Sequence, residues 1–233
     1  MCGITGIFCF SERAAQHSLQ QTTAALNTLR RRGPDSAGCY QTEHVAIAQA
    51  RLAIIDTSDA AKQPFADPTG RYQMVFNGEI FNFQELKRQL PPYDYRTHSD
   101  TEVLLYAYIH WGEKMLEHLN GFFTIAIYDT LQQELFLARD RYGVKPLLLY
   151  QDEERLIFAS EMKALLAFQI PKKLNYESLA LYFQLHYIPA PHSIFENVVK
   201  MMPATYCRVT AKGVQPPQTY YQIPAALSPT TPA

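Results

Sequence analysis

The sequence predicts an α+β fold built on antiparallel sheets, and two observations carry that prediction. Strand and helix signals arrive in blocks instead of alternating strictly, which disfavours a parallel doubly wound sheet. The chain is also rich in core-forming residues, at 47% hydrophobic and 18% charged with 15 Tyr and 13 Phe, so it is no candidate for disorder. Its 233 residues suffice for one large domain or two small ones.

The opening ITGIFCF alternates and is rich in β-branched and aromatic residues, predicting a strand that runs straight from the terminus and leaves Cys2 at its end. Apolar residues at Leu19, Ala24, Ala25, Leu26 and Leu29 predict one amphipathic helix over 16–32, stopped by Gly33-Pro34. A polar loop, RGPDSAG, follows. HVAIAQARLAII and RYQMVFNGEIF read as strands on either side of the turn-rich DTSDAAKQPFADPTG. FNFQELKRQL and HSDTEVLLYAYIHWG carry helix signals, the second with Ser99 or Asp100 as N-cap and Glu102 in the first turn. GFFTIAIYD, ELFLARD and LLLYQDEERLIFAS read as short strands of an antiparallel meander, and MKALLAF and NYESLALYFQL as helices. TYCRVTAKGVQ reads as a hairpin turning at Lys212-Gly213. Past Tyr221, prolines at 224, 229 and 232 mark a linker or frayed tail.

Several function classes drop out. A formal net charge of -1 and a single short basic run, Arg30-Arg31-Arg32, give no general electrostatic reason to bind nucleic acid. No apolar stretch approaches the roughly 18–20 residues that cross a bilayer, and the N-terminus lacks a signal-peptide pattern, so the expected location is the cytoplasm, with no membrane partner. Cys2, Cys9, Cys39 and Cys207 are scattered without a C-x-x-C pair, which argues against a zinc site and against a disulfide framework, so no metal is expected. Neither the Walker A pattern nor G-x-G-x-x-G occurs, leaving no recognisable phosphate cradle.

What remains is a cysteine directly behind the initiator methionine. If Met1 is trimmed, Cys2 carries a thiol and a free α-amine on one residue, and an amine with a reference pKa of about 7.7–8.0 can take the thiol's proton near neutral pH. Taken alone, Cys2 reads better as a small apolar residue opening a buried strand. RGPDS alone is a helix stop and a turn, Arg51 an edge residue reaching solvent, Asn77-Gly78 a tight hairpin turn beside an exposed Glu79, and Asp100 a helix cap. Together they form a set that suits a zwitterionic amino acid with an amide side chain. Arg51 could hold an α-carboxylate, and Glu79 and Asp100 an α-ammonium. The Asn77 amide and the Gly78 N–H could stabilise the oxyanion formed as Cys2 attacks the amide carbon. Glutamine fits that description.

The segments MCGITG, RGPDSAG, QARLAIID, FNGEIFNFQEL, HSDTEV, LARDRYGVKPLLLY and FASEMKAL, in that order, resemble the class II glutamine amidotransferases, which are N-terminal nucleophile hydrolases. Within that family Pro34, Glu79 and the pair RDRYGVKPL and SEMKAL look like the glutaminase half of glutamine-hydrolysing asparagine synthetase. The resemblance implies a four-layer αββα sandwich of two antiparallel sheets and hydrolysis of glutamine through a thioester on Cys2. It assigns Asn77 and Gly78 to the oxyanion hole, Arg51, Glu79 and Asp100 to glutamine binding, and Arg32, Gly33, Pro34 and Asp35 to a loop that organises the pocket. It also implies a domain over 2–220, a tail over 221–233, and the absence of the ATP-pyrophosphatase domain that follows in a full synthetase. No cofactor is expected here, since ATP and magnesium belong to that domain.

Three forms are compatible with this: a fragment, a stand-alone subunit serving a separate synthetase, and a free glutaminase-like module. The expected partners are glutamine and a synthetase domain in cis or trans, with a homodimer as a further option. RDRYGVKPLLLY and SEMKAL are expected to face that synthetase and to leave apolar side chains exposed. The rival readings are a glutamine-binding or regulatory module without turnover, and an ammonia supplier to another carboxylate-activating synthetase.

Overall fold

The computed structural model describes residues 1–223, so most of the expected tail lies outside the described residues. Two antiparallel sheets dominate. The first has the order β10 (Val198–Lys200), β8 (Leu148–Gln151), β9 (Arg155–Ala159), β1 (Gly3–Cys9), β3 (Val45–Arg51) and β2 (Ser36–Gln41). The second runs β12 (Gly213–Val214), β11 (Thr205–Thr210), β7 (Glu134–Arg139), β6 (Gly121–Asp129), β5 (Tyr72–Ile80) and β4 (Phe65–Ala66), with β13 (Gln218–Thr219) also on β11. The helices are α1 (Glu12–Ser18), α2 (Gln21–Thr28), α3 (Phe83–Gln89), α4 (Asp100–Trp111), α5 (Met115–His118), α6 (Met162–Ala167) and α7 (Tyr176–Leu185).

The period of two along each strand sorts side chains into three apolar layers. From β1, Ile7 and Cys9 join Ala46, Ala48 and Ala50 of β3 under α1, α2 and α6. Ile4 and Phe8 point the other way, into a layer shared with Ile47, Val75, Ala126, Leu137 and Phe158 between the sheets. Met74, Phe76, Ile80, Phe123 and Ile125 leave the outer face of the second sheet against Leu86, Val103, Leu104 and Leu116 of α3 to α5. Helix, sheet, sheet and helix therefore stack in the expected αββα order.

The local expectations mostly hold, with five corrections. The single helix over 16–32 is two helices. Ser11 caps an earlier start, accepting the Ala14 N–H, and the break at 19–20 is one tightened turn in which the Thr22 N–H bonds the Leu19 carbonyl. Ala15, Leu19, Thr22, Leu26 and Leu29 stay buried at helical spacing across the break, so the pattern looked continuous. Second, SAG in the expected polar loop opens β2, an edge strand whose mixed small and polar residues carry little strand signal. Third, β3 ends at Arg51 so that LAII is loop, while Asn77-Gly78 lies inside β5 as the strand reading of RYQMVFNGEIF has it and not at a turn.

The fourth correction positions the site. β7 and β8 do not continue one meander: residues 140–147 carry the chain from the second sheet to the first. Asp140, 1% exposed, organises this crossing by accepting the N–H groups of Tyr142 and Val144 on one carboxylate oxygen and those of Phe123 and Lys145 on the other. At the far end the hairpin pairs Thr210 with Gly213 around Ala211-Lys212, one residue earlier than expected, with Gly213 at a φ of 110°.

Candidate active site

At one end of the sandwich the layer between the sheets turns polar. Along β5 the inward positions run Val75, Asn77, Glu79, and along β3 they run Ile47, Gln49, Arg51, so the strand period delivers polar side chains from both sheets to the same gap. Cys2 continues the inward face of β1 from Ile4. A cleft opens there between the two sheets. Cys2, Arg51, Asn77, Gly78, Glu79 and Asp100 all line it, so the structure brings together every residue expected to attack, stabilise or bind.

Cys2 is a free, half-buried thiol whose Sγ accepts the Leu52 N–H at 3.3 Å. Its carbonyl accepts from Arg32 Nε at 2.8 Å, and Arg32 Nη1 pairs with Glu161 at 3.0 Å. The next residues are held from the same side, because Ile4 N–H donates to Ser160 Oγ and Ser160 N–H to the Ile4 carbonyl. Arg32 thus clamps the backbone of Cys2. The rest of the RGPD loop supports the wall behind it. Gly33 packs so tightly on β3 that an added Cβ would lie 2.2 Å from the Ala50 carbonyl carbon, and only glycine allows that approach. Asp35 takes the Ala53 N–H on its carboxylate and gives its own N–H to the Arg51 carbonyl, while Pro34 sits exposed at the turn.

The two candidate oxyanion donors are both available. Asn77 is 1% exposed, yet its Nδ2 has no hydrogen-bond partner in the structure. A buried, unpaired donor costs about 1–3 kcal/mol, a cost that an incoming acceptor would relieve. For Gly78, strand register sets the direction of the N–H. Phe123 directs both its N–H and its carbonyl to Asp140, away from β5, which makes Phe123 and Gly78 a non-hydrogen-bonded pair. The N–H groups of Phe76, Gly78 and Ile80 therefore point off the free edge of β5, past the end of its pairing with β4. Gln63 Oε1 takes the first and Asp100 Oδ2 the third, at 3.0 Å. Gly78 lies between them and faces the cleft. A Cβ on Gly78 would lie 2.3 Å from the Phe122 carbonyl oxygen, so the strand needs glycine here.

Charge is distributed to suit a zwitterion. Arg51 donates to the carbonyls of Ser58 and Asp56, neutral partners that fix its fork and leave its charge for an anion. The Asp56 carboxyl is held down at about 2, first by the Ser58 hydroxyl and then by the N–H groups of His98 and Ser58, with Arg51 adding a smaller attraction. Asp100 opens α4, is 4% exposed, and has its carboxyl pushed above the usual carboxylate range by burial, reinforced by Glu79 and opposed by the Ile80 N–H. An ammonium arriving beside Asp100 and Glu79 relieves both effects.

Sequence reasoning missed three contributors. The Leu52 backbone touches the Cys2 sulfur, Gln63 satisfies Phe76 and supports the strand edge, and Lys145 lines the cleft. Lys145 had a signal, a lone cation between Val144 and the run PLLLY, but the whole segment was expected to lie on a surface. Tyr142 and Val144 are indeed exposed at 67% and 56%, whereas Lys145, Leu147 and Tyr150 are buried. In SEMKAL, Ala164 and Leu165 are likewise buried. Among the described residues no group of three or more His, Cys, Asp or Glu could hold a metal ion, and no helix is long and apolar enough to cross a membrane.

The family model for the glutamine amidotransferase domain matches residues 1–221. The chain belongs to the class II glutamine amidotransferases. Asparagine synthetase [glutamine-hydrolyzing] 1 of Bacillus subtilis (strain 168) is 33% identical over 231 residues, covering 95% of this chain and 35% of its own length. Asparagine synthetase [glutamine-hydrolyzing] 3 of the same organism is 36% identical over 210 residues, 88% of this chain and 34% of its own. Amidase chry2 of Gibberella zeae is 31% identical over 230 residues, 93% of this chain and 34% of its own. The chain thus spans about a third of the length of these relatives. Glutamine phosphoribosylpyrophosphate amidotransferase from B. subtilis superimposes with a TM-score of 0.70 over 95% of this chain and 50% of that one; at 19% identity this likeness shows the fold alone, and the fold is that of the N-terminal nucleophile hydrolases.

Proposed function

We propose that this glutamine amidotransferase domain hydrolyses glutamine to glutamate and ammonia through a thioester on Cys2. The ammonia then serves asparagine synthesis from aspartate on a synthetase domain beyond this chain. The observation that carries the reading is the buried, unpaired Asn77 amide beside the Gly78 N–H and the Cys2 thiol.

Removal of Met1 frees the α-amine of Cys2, which takes the thiol proton as sulfur attacks the side-chain amide carbon. The carbonyl oxygen becomes an oxyanion that accepts from Asn77 Nδ2 and the Gly78 N–H. The α-ammonium then returns the proton to the leaving nitrogen, the C–N bond breaks, and ammonia departs. Water adds to the thioester under the same amine, and glutamate leaves with the thiol restored. Arg51 holds the substrate α-carboxylate, Glu79 and Asp100 its α-ammonium, and the Arg32 clamp fixes the carbonyl of Cys2 during attack.

The choice of acceptor rests on the two synthetase relatives. No ATP or metal takes part in the steps assigned to this domain. The test is glutamate release from glutamine by the purified chain beside a Cys2→Ala variant, with each N-terminus checked by intact mass. Activity in the parent alone supports the reading. Silence in a folded parent from which Met1 is gone favours glutamine binding without turnover.

A further inference from the structure

The crossing segment 140–147 delivers one buried cation to the nucleophile. Lys145 is 5% exposed, and a lysine so deeply buried needs a reason. Its backbone is fixed on both sides, with its N–H on Asp140 Oδ2 at 3.0 Å and its carbonyl accepting Arg139 Nε at 2.7 Å. The side chain then runs over the Phe122 ring, with Nζ 4.3 Å from the centroid, and ends 2.9 Å from the sulfur of Met1. A thioether is a weak acceptor and a ring face a modest attraction, so neither cancels the ammonium's charge. That charge shares the cleft with Met1 and Cys2, and Cys2 is among the groups that act on it.

We propose that Lys145 is a positioning residue for the base of the reaction: once Met1 is gone, its ammonium keeps the α-amine of Cys2 neutral and favours the Cys2 thiolate. The proposal rests on reading Cys2 as an N-terminal nucleophile. Its sign follows from elementary electrostatics. A cation beside a second amine disfavours protonation of that amine, and beside a thiol it favours the anion, so both effects extend the working state to lower pH.

The charged groups facing Lys145 are Glu79 from β5, Asp140 in its own segment, Arg32 from the turn after α2, and Cys2. Arg51, Asp56 and Asp100 line the cleft with it. Burial, aided by Arg32, pulls the ammonium below its ordinary range, while Glu79, Cys2 and Asp140 draw it back.

The test compares the parent with Lys145→Met, which keeps the apolar stem, and Lys145→Arg, which keeps the charge; Lys145→Gln replaces the first if methionine disturbs the fold. Two pH profiles are recorded: kcat/KM for glutamine, and alkylation of Cys2 by iodoacetamide, read by peptide mass with the exposed Cys39 as internal reference. Losing the charge is expected to move the acid limb of both profiles up by about 0.5–1 pH unit, a roughly threefold to tenfold loss at pH 6.5. The plateau at high pH and the Cys39 rate stay unchanged, and Lys145→Arg restores the parent profile. Coincident acid limbs in the parent and the folded Lys145→Met variant would overturn the proposal. If the parent releases no glutamate, the glutaminase reading fails on its own, and the alkylation profile still decides the role of Lys145.

Discussion

Two cysteines flank one strand, Cys2 just before β1 and Cys9 at its far end, and the fold treats the two in opposite ways. Cys9, 1% exposed, lies in the apolar layer beneath α1 and α2, and burial pushes its thiol up to about 12. Cys2 lies half-buried on the other face of the same strand, its sulfur against the Leu52 N–H and its carbonyl clamped by Arg32. Six residues of alternating strand separate a small hydrophobe from a candidate nucleophile. The residue type is shared, so the difference lies in which face the side chain takes and what meets it there: alanines and helices in one case, amide, guanidinium and carboxylates in the other.

The sharpest way to break the comparison is to exchange each cysteine for alanine. Cys2→Ala is expected to lower glutamate release by on the order of 10⁶-fold, to background, as loss of a nucleophile does elsewhere. Next comes Asn77→Ala, which removes one oxyanion donor and is expected to cost about 10²–10³-fold in kcat with little change in KM. Steady-state kinetics at saturating glutamine separates these from a binding defect. A kcat unchanged in Asn77→Ala would mean that the unpaired amide serves something else.

Binding residues should cost less. Asp100→Asn is expected to raise KM about tenfold to a hundredfold, the size of a lost charged hydrogen bond of about 1.5–3 kcal/mol. The parent should show a related pH effect. The Asp100 carboxyl is held above the usual carboxylate range and must be ionised to take the substrate ammonium, so KM should climb as pH falls through that raised value. In Asp100→Asn that part of the pH dependence disappears. The smallest effect is expected at the other end of β1. Cys9→Ala should keep glutamate release within about twofold while costing about 1 kcal/mol of stability for the small cavity, seen in denaturant unfolding.

Much of this was legible because the chemistry is carried by short, ordered segments. The alternation of ITGIFCF fixed the parity that separates Cys2 from Cys9, and HSDTEV announced the α4 start that Ser99 caps. Other features were hidden for physical reasons. Asn-Gly is the strongest local turn signal, and only the pairing of β5 with β6 overrides it, with Gly78 required by the nearness of the Phe122 carbonyl rather than by a turn. The edge strand β2 is too polar to be read alone. Lys145 could not be placed because ELFLARD and LLLYQDEERLIFAS looked like neighbours in one meander, whereas Asp140 steers the chain between sheets and turns a surface lysine into a buried one.

The central claim is that the sulfur of Cys2, and no other, forms a bond to the substrate. Its most direct test is to mix the Met1-free chain with glutamine, quench in acid within one turnover, and map the peptides by mass. The account predicts a glutamyl thioester on the peptide that begins at Cys2, absent from Cys2→Ala, with the Cys9, Cys39 and Cys207 peptides unmodified. Glutamate release without any adduct on Cys2, or an adduct on another cysteine, would contradict it.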